Sequence, residues 1–297
     1  MKVFVTGATG YIGGSVAEAL VRNGFAVSGL ARNKEKADFL ESRGISPVLG
    51  ELDDSEILAM AAADAEVIIS AANSDHKASV EAILKAIVGT GKTFIHTSGS
   101  SIVADNAGGE PSDKVYDEET PIQPIPEKIA RVDLDTIIKS AAKSDVRSVV
   151  ICPTMIYGRG TGFHRSSSQI PMLIGQAKKD GTGRYIGRGL NRWSNVHISD
   201  LAELYLLAIE KAQPGDFFFA ENGEEEIKKI AEEIGRLLGL EPAAQSWPPE
   251  EAEKKWGKGA ALALGSNSRV RAVKARRDLG WQPKIDAVLA SIQEEIV

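Results

Sequence analysis

The chain has 297 residues, 43% of them hydrophobic, enough to bury a full core in one large domain or in a domain with an appendage. A net charge of -6 and a pI near 5.4 argue against nucleic acid or an anionic membrane as partner, because both select clustered Lys and Arg. The first residues run straight into a strand pattern without secretion-signal anatomy, no apolar run reaches the roughly 18 residues of a membrane span, and the single Cys152 has no internal disulfide partner. Together these features predict a cytoplasmic protein.

Six short β-branched runs follow in chain order: KVFVT (2–6), FAVSGLA (25–31), SPVL (46–49), EVIIS (66–70), TFIHT (93–97) and VRSVVIC (146–152). Amphipathic helical patterns separate them, which predicts an α/β fold with a doubly wound parallel sheet. The first helix has Ile12, Val16, Ala19 and Leu20 at helical spacing, with Gly24 after its end. Further helices are expected over 75–88 and 126–143, the latter opening on Pro126, whose missing N–H costs nothing at a first helical position. Between them the polar segment 105–126 is long enough to be functional or mobile.

After Cys152 the alternation weakens. Residues 158–192 are rich in Gly, Ser and Arg, then 197–212 read as a helix, 216–220 as a strand, and EEEIKKIAEEIGRLLGL as a helix with a solvated acidic face. Trp247, Trp256 and Trp281 are expected to pack a smaller lobe. The expected organisation is a sheet domain over 1–157 and a mostly substrate-binding lobe over 158–297, packed on the sheet domain, with 193–220 returning to the sheet.

The stretch VFVTGATGYIGGSV places Gly7, Gly10 and Gly13 directly after a strand and at the opening of a helix. Gly7 permits the tight turn, Gly10 lets backbone approach a pyrophosphate, and Gly13 allows helix and strand to pack closely. The helix N-terminus then offers free N–H groups to phosphate. This stretch, with CPTMIYG (152–158), VHISDLAELYLLAIE (196–210) and ARRDLGWQP (275–283), resembles the extended branch of the short-chain dehydrogenase/reductase superfamily, which includes nucleotide-sugar epimerases and dehydratases. The resemblance covers essentially the whole chain and implies a Rossmann domain with a C-terminal substrate lobe. It also implies that Thr9, Tyr11 and Ile12 at the turn, Glu51 and Leu52 on the adenine side, Ala71, Ala72 and Asn73 along its middle, and Pro153 after the sixth strand contact a nicotinamide dinucleotide.

In such folds an acid at the end of the second strand binds the ribose of NAD, whereas an Arg accommodates the 2′-phosphate of NADP. That acid position falls on Ala31 and is followed by Arg32, with Lys34 and Lys36 nearby, so NADP(H) is expected. A solvated Arg opening a helix is the alternative.

The family's hydride chemistry uses a Ser or Thr after the fifth strand and a Tyr four residues before a Lys. Laid on those patterns without gaps, Gly99 takes the Ser/Thr place, flanked by Ser98, Ser100 and Ser101, while Glu127 takes the Tyr place and Arg131 the Lys place. Arg131 retains donors for a ribose. Glu127 is a poor proton donor unless buried, and its alternative is a surface ion pair with Arg131 one turn on. Tyr157 is a candidate replacement donor or, alternatively, a core or pocket-wall aromatic. Substrate contacts are expected from His164, Arg165, Ser166, Gln169, Arg188, Arg192, Trp193 and His197, with Arg269 or Arg271 turned toward the cleft; the bland reading is that His197 caps a helix and the arginines are solvated. No His or Cys spacing suits a metal.

Two functions stay open. One is an NADP(H)-dependent oxidoreductase or epimerase/dehydratase-like enzyme acting on a small carbonyl or secondary alcohol, sugar- or nucleotide-linked substrates included. The other is a non-catalytic NADP(H)-binding sensor or regulator. A homodimer is a candidate assembly for either.

Overall fold

The computed structural model describes residues 1–285 and 287–296. Its centre is a seven-stranded parallel sheet built from β1 (Lys2–Thr6), β2 (Ala26–Ala31), β3 (Ser46–Leu49), β4 (Val67–Ser70), β5 (Thr93–Thr97), β6 (Arg147–Pro153) and β10 (Asp216–Ala220). The spatial order is β10-β6-β5-β4-β1-β2-β3. Helices cover both faces, so the central strands are buried throughout and read as apolar runs without alternation. The covering helices are α1 (Tyr11–Arg22), α2 (Lys34–Ser42), α3 (Ser55–Asp64), α4 (Lys77–Ile87), α5 (Ile129–Ser140) and, before β10, α7 (Ile198–Lys211). Because β1 pairs with both β2 and β4, the strand order reverses there. The crevice beyond the ends of β1 and β4 is therefore where such a sheet accepts a ligand.

The expected strands hold, each with a boundary within a residue; Pro126 opens a 3₁₀ turn (Pro126–Lys128) leading into α5. The polar segment 105–126 is stitched down. Asp105 accepts from the Asn267 backbone at 2.8 Å, Tyr116 donates its backbone N–H to the Arg269 carbonyl and accepts that of Arg271, and Glu118 accepts from the N–H groups of Phe219 and Lys274.

The lobe holds β7 (Met155–Tyr157), α6 (Gln169–Asp180), β8 (Gly183–Ile186), β9 (Arg192–His197), β11 (Glu224–Glu226), α8 (Ile227–Leu237), β12 (Ala244–Trp247), α9 (Pro249–Trp256), α10 (Lys258–Gly265) and α12 (Val288–Ile296). Between them α11 (Val273–Leu279) packs back on β10 and α7. Three expectations need correction. Glu224, Glu225 and Glu226 do not begin a helix; they form a strand antiparallel to β9, because that pairing sets Glu226 against Arg192 of β9 and Glu224 against Arg269 of the segment before α11. β9 itself lies in a three-stranded sheet with β7 and β11, so the return to the main sheet is made by α7 and β10. Trp247 and Trp256 do pack together in the lobe, with ring centroids 5.1 Å apart. Trp281, however, belongs to the main core and donates its indole N–H to the Asp200 carbonyl at 3.0 Å. Among the described residues, no helix is long and apolar enough to cross a membrane.

Candidate active site

The glycine turn fills the crevice between β1 and α1. Gly7 has φ of +77°, a conformation that a side chain strains, and its carbonyl accepts the Gly10 N–H at 2.7 Å. Gly10 caps α1 without a side chain, so the first N–H groups of α1 have no side-chain cap and face the crevice mouth. From this turn a cleft of about 570 Å³ extends across the ends of β4, β5 and β6 to the lobe. Gly10, Tyr11, Ile12, Ala71 and Ala72 line one end; Met172, Trp193, Ala260 and Ala263 close the other.

Ser98, Gly99, Ser100 and Ser101 form the floor between these ends. Ser98 donates to Asp135 Oδ2 at 2.6 Å, and the other oxygen of this buried carboxyl has no hydrogen-bond partner among the described residues. Burial pushes the Asp135 carboxyl up to about 7, against the lowering effect of the Ser98 bond and Arg131. Ser100 meets the Ser268 hydroxyl at 2.9 Å, tying the floor to the segment before α11. Arg131 grips Asp75 with two nitrogens, at 2.7 and 2.5 Å, and reaches Ser101 at 3.0 Å. Behind this floor His96 is fully buried on β5, and burial lowers its imidazole to about 4.

Most expected cofactor residues converge. Gly10, Tyr11, Ile12, Ala71, Ala72, Arg131 and Pro153 line the cleft, with Gly7, Thr9 and Gly13 forming the turn beneath. Arg32, Glu51, Leu52 and Asn73 stand outside this cleft, beyond the ends of β2, β3 and β4. Arg32 is exposed and forms no ion pair with another described residue. Of the expected catalytic and substrate groups, Ser98, Ser100, Ser166, Gln169 and Trp193 line the cleft.

The other candidates point elsewhere. Tyr157 is 1% exposed in the lobe core, and its hydroxyl donates to the Ile285 carbonyl at 3.0 Å, so it is not a donor facing substrate. Tyr157→Phe should accordingly cost about 1 kcal/mol in a denaturant titration and leave turnover unchanged; a turnover defect without a stability defect would return it to the chemistry. Glu127 is exposed and pairs with Lys258 of α10 at 3.2 Å, which together with its own backbone N–H holds its carboxyl ionised. His197 accepts the Ser199 N–H as the cap of α7. His164 and Arg165 are exposed outside the cleft. Arg192 pairs with Glu226 at 2.7 Å, Arg269 holds Glu224 through two nitrogens at 3.1 and 2.7 Å, and Arg271 reaches the same carboxylate at 3.1 Å. Arg188 pairs with Glu110 at 3.0 Å.

Three cleft features escaped the sequence reading: Lys128, Asp135 behind Ser98, and the small apolar face of α10. The heptapeptide IARVDLD carries a signal for Asp135, since an acid one turn after Arg131 on a buried face must have a partner.

A parallel sheet with a glycine turn at its switch point and a lobe folded over the strand ends is the architecture of a dinucleotide-binding α/β protein. Residues 3–218 match the model of the NAD dependent epimerase/dehydratase family, and the chain belongs to that family, within the extended short-chain dehydrogenase/reductase superfamily. It is 31% identical over 310 residues to uncharacterized protein C2A9.02 of Schizosaccharomyces pombe, covering 99% of each chain. It is 30% identical to oxidase ucsJ of an Acremonium species, covering 95% of this chain and 92% of that one. Its fold is shared with dTDP-glucose 4,6-dehydratase of Bacillus anthracis in complex with NAD: TM-score 0.78, 19% identity, 100% of this chain and 95% of that one.

Proposed function

We propose that the protein is an NADP(H)-dependent oxidoreductase that exchanges hydride with a neutral small carbonyl compound or secondary alcohol, rather than with a nucleotide-linked sugar. The cleft lining carries this reading. Ile156, Met172, Trp193, Ala260 and Ala263 supply an apolar wall and the serines supply hydroxyls, while Arg131 is committed to Asp75. A nucleoside diphosphate brings charge that needs several free cations. The arginines of the lobe's inner edge, Arg192, Arg269 and Arg271, are each paired with Glu224 or Glu226. A relative named as an oxidase supports redox chemistry in preference to epimerisation.

The preference for NADP(H) rests on Arg32, an exposed guanidinium at the end of β2 following the buried Ala31, with no carboxylate partner among the described residues. Arg32→Ala should weaken NADPH binding about tenfold to a hundredfold, the value of one or two charge-assisted hydrogen bonds, and leave NADH binding unchanged. An unchanged NADPH/NADH ratio would remove the cofactor assignment. The reaction itself is tested with NADPH deuterated at the transferable position and a small-molecule extract. A neutral metabolite that gains deuterium, absent without protein, is the expected result; label appearing only in nucleotide-linked products would overturn the substrate class.

One observation favours a second reading. None of the five tyrosines is followed four residues later by Lys, and the two aligned places hold Glu127 and Arg131. A dinucleotide-binding sensor without catalysis has no need of either group. NADPH binding with no labelled product of any kind is its expected signature.

A further inference from the structure

Lys128 lines the cleft at the entry to α5, beside the serine floor. Every charged neighbour is already engaged. Glu127 pairs with Lys258 of α10, Arg131 with Asp75 of the segment before α4, and Asp135 lies behind Ser98. The Lys128 ammonium makes no hydrogen bond or ion pair with another described residue, and it is the only cleft-lining cation in that condition among them. A lone ammonium kept half-buried against apolar walls and hydroxyls has a partner only when the cleft is filled.

We propose that Lys128 is the proton donor to the substrate oxygen, taking over at the adjacent position the task for which Glu127 is unsuited. This rests on the hydride-transfer reading above. In the reducing direction, hydride from C4 of the reduced nicotinamide forms a C–H bond at the carbonyl carbon, and the C=O π pair moves onto oxygen. That oxygen takes a proton from Lys128 Nζ, giving the alcohol, the oxidised nicotinamide and a neutral amine, which regains its proton from water. Ser101, whose hydroxyl accepts from Arg131 and keeps its own hydrogen to donate, can hold the oxygen by a hydrogen bond while this happens. Burial and the neighbouring Arg131 charge push the Lys128 ammonium down from the ordinary lysine range, and Asp75 and Glu127 oppose them. The net direction is the one that makes an ammonium a better acid near neutral pH.

Two measurements test this. The first needs no substrate: the full-length protein is labelled with acetic anhydride across pH, and the modification of each lysine is read by mass spectrometry. Lys128 should titrate below the other lysines, and saturating NADP⁺ should slow its labelling. The second follows reduction of aryl alkyl ketones by NADPH in the wild type, Lys128→Met and Lys128→Arg. Lys128→Met should bind NADPH normally, lower kcat about 100-fold to 1,000-fold, and lose the alkaline limb of the pH profile. Lys128→Arg should keep the charge without restoring the rate, because a guanidinium is a far weaker acid. A Lys128 titration in the ordinary lysine range, or an alkaline limb retained in Lys128→Met, overturns the assignment. Failure of every neutral carbonyl overturns the proposed function instead, and is told apart because the labelling titration is read without substrate.

Discussion

Gly13→Val should abolish dinucleotide binding and destabilise the protein by about 1–3 kcal/mol or more. A Cβ at Gly13 falls against the Gly7 carbonyl oxygen and within 2.7 Å of its carbon. That carbonyl cannot give way, because it accepts the Gly10 N–H and Gly7 itself is wedged against the Ala71 backbone, where its own added Cβ would lie 2.7 Å away. The strain is therefore relieved only by lifting α1 off β1, which carries the α1 N-terminus away from the phosphate position. The expected readouts are a lower melting temperature and no saturable change of fluorescence with NADPH. Gly175→Ala is the control: nothing lies within 4 Å of its added Cβ in α6, so the variant should gain about 0.5–1 kcal/mol from helix propensity and bind normally. Normal NADPH binding by Gly13→Val would show that the turn does not hold the cofactor.

Asp135→Asn should stabilise the protein above neutral pH, an unusual outcome for loss of a buried hydrogen-bonded carboxylate. The Asp135 carboxyl is pushed by burial from 3.8 to about 7. Its folded-state value is the raised one, so its stabilising contribution is full below 3.8 and is lost as pH climbs through 7. The change amounts to about 4 kcal/mol at 1.36 kcal/mol per unit. Asn keeps an oxygen for the Ser98 donor and removes the ionisation. Wild type and variant should match near pH 4 and diverge by several kcal/mol at pH 8 in urea titrations. His96 has the opposite sign: its imidazole is lowered from 6.5 to about 4, so stability is lost as pH falls through that window, by about 3 kcal/mol. The two slopes oppose each other between pH 4 and 6.5, flattening the wild-type curve. Asp135→Asn should uncover the His96 slope there, and a stability curve that stays flat in that variant would place neither group in the buried state described.

How much of the site was legible can be followed residue by residue. The glycine turn, the serines after β5 and the alanines after β4 were found because each sits at a strand end, and strand ends are written locally in β-branched runs and turn residues. The sequence left Tyr157 open between proton donor and core aromatic because its partner, the Ile285 carbonyl, lies 128 residues away. The arginines at 192, 269 and 271 looked free for the same reason: the carboxylates that neutralise them come from a short acidic strand that local pattern reads as the start of a helix. Lys128 went unnoticed between two residues singled out by alignment, because a helix entry turns consecutive side chains to different surroundings and sequence spacing alone does not say which one meets the cleft.

The sequence by itself determined the doubly wound sheet, the order of its elements and the position of the phosphate-facing turn, since these follow from hydrophobic period, turn chemistry and the backbone freedom of glycine. The tertiary structure alone decided which charges are spent and which are left over. Glu224 pairs with Arg269 and Arg271, Asp75 takes Arg131, Lys258 takes Glu127, and Lys128 is left without a partner among the described residues. Ion pairing and desolvation depend on distances between segments far apart in the chain, and a linear sequence carries no record of those distances.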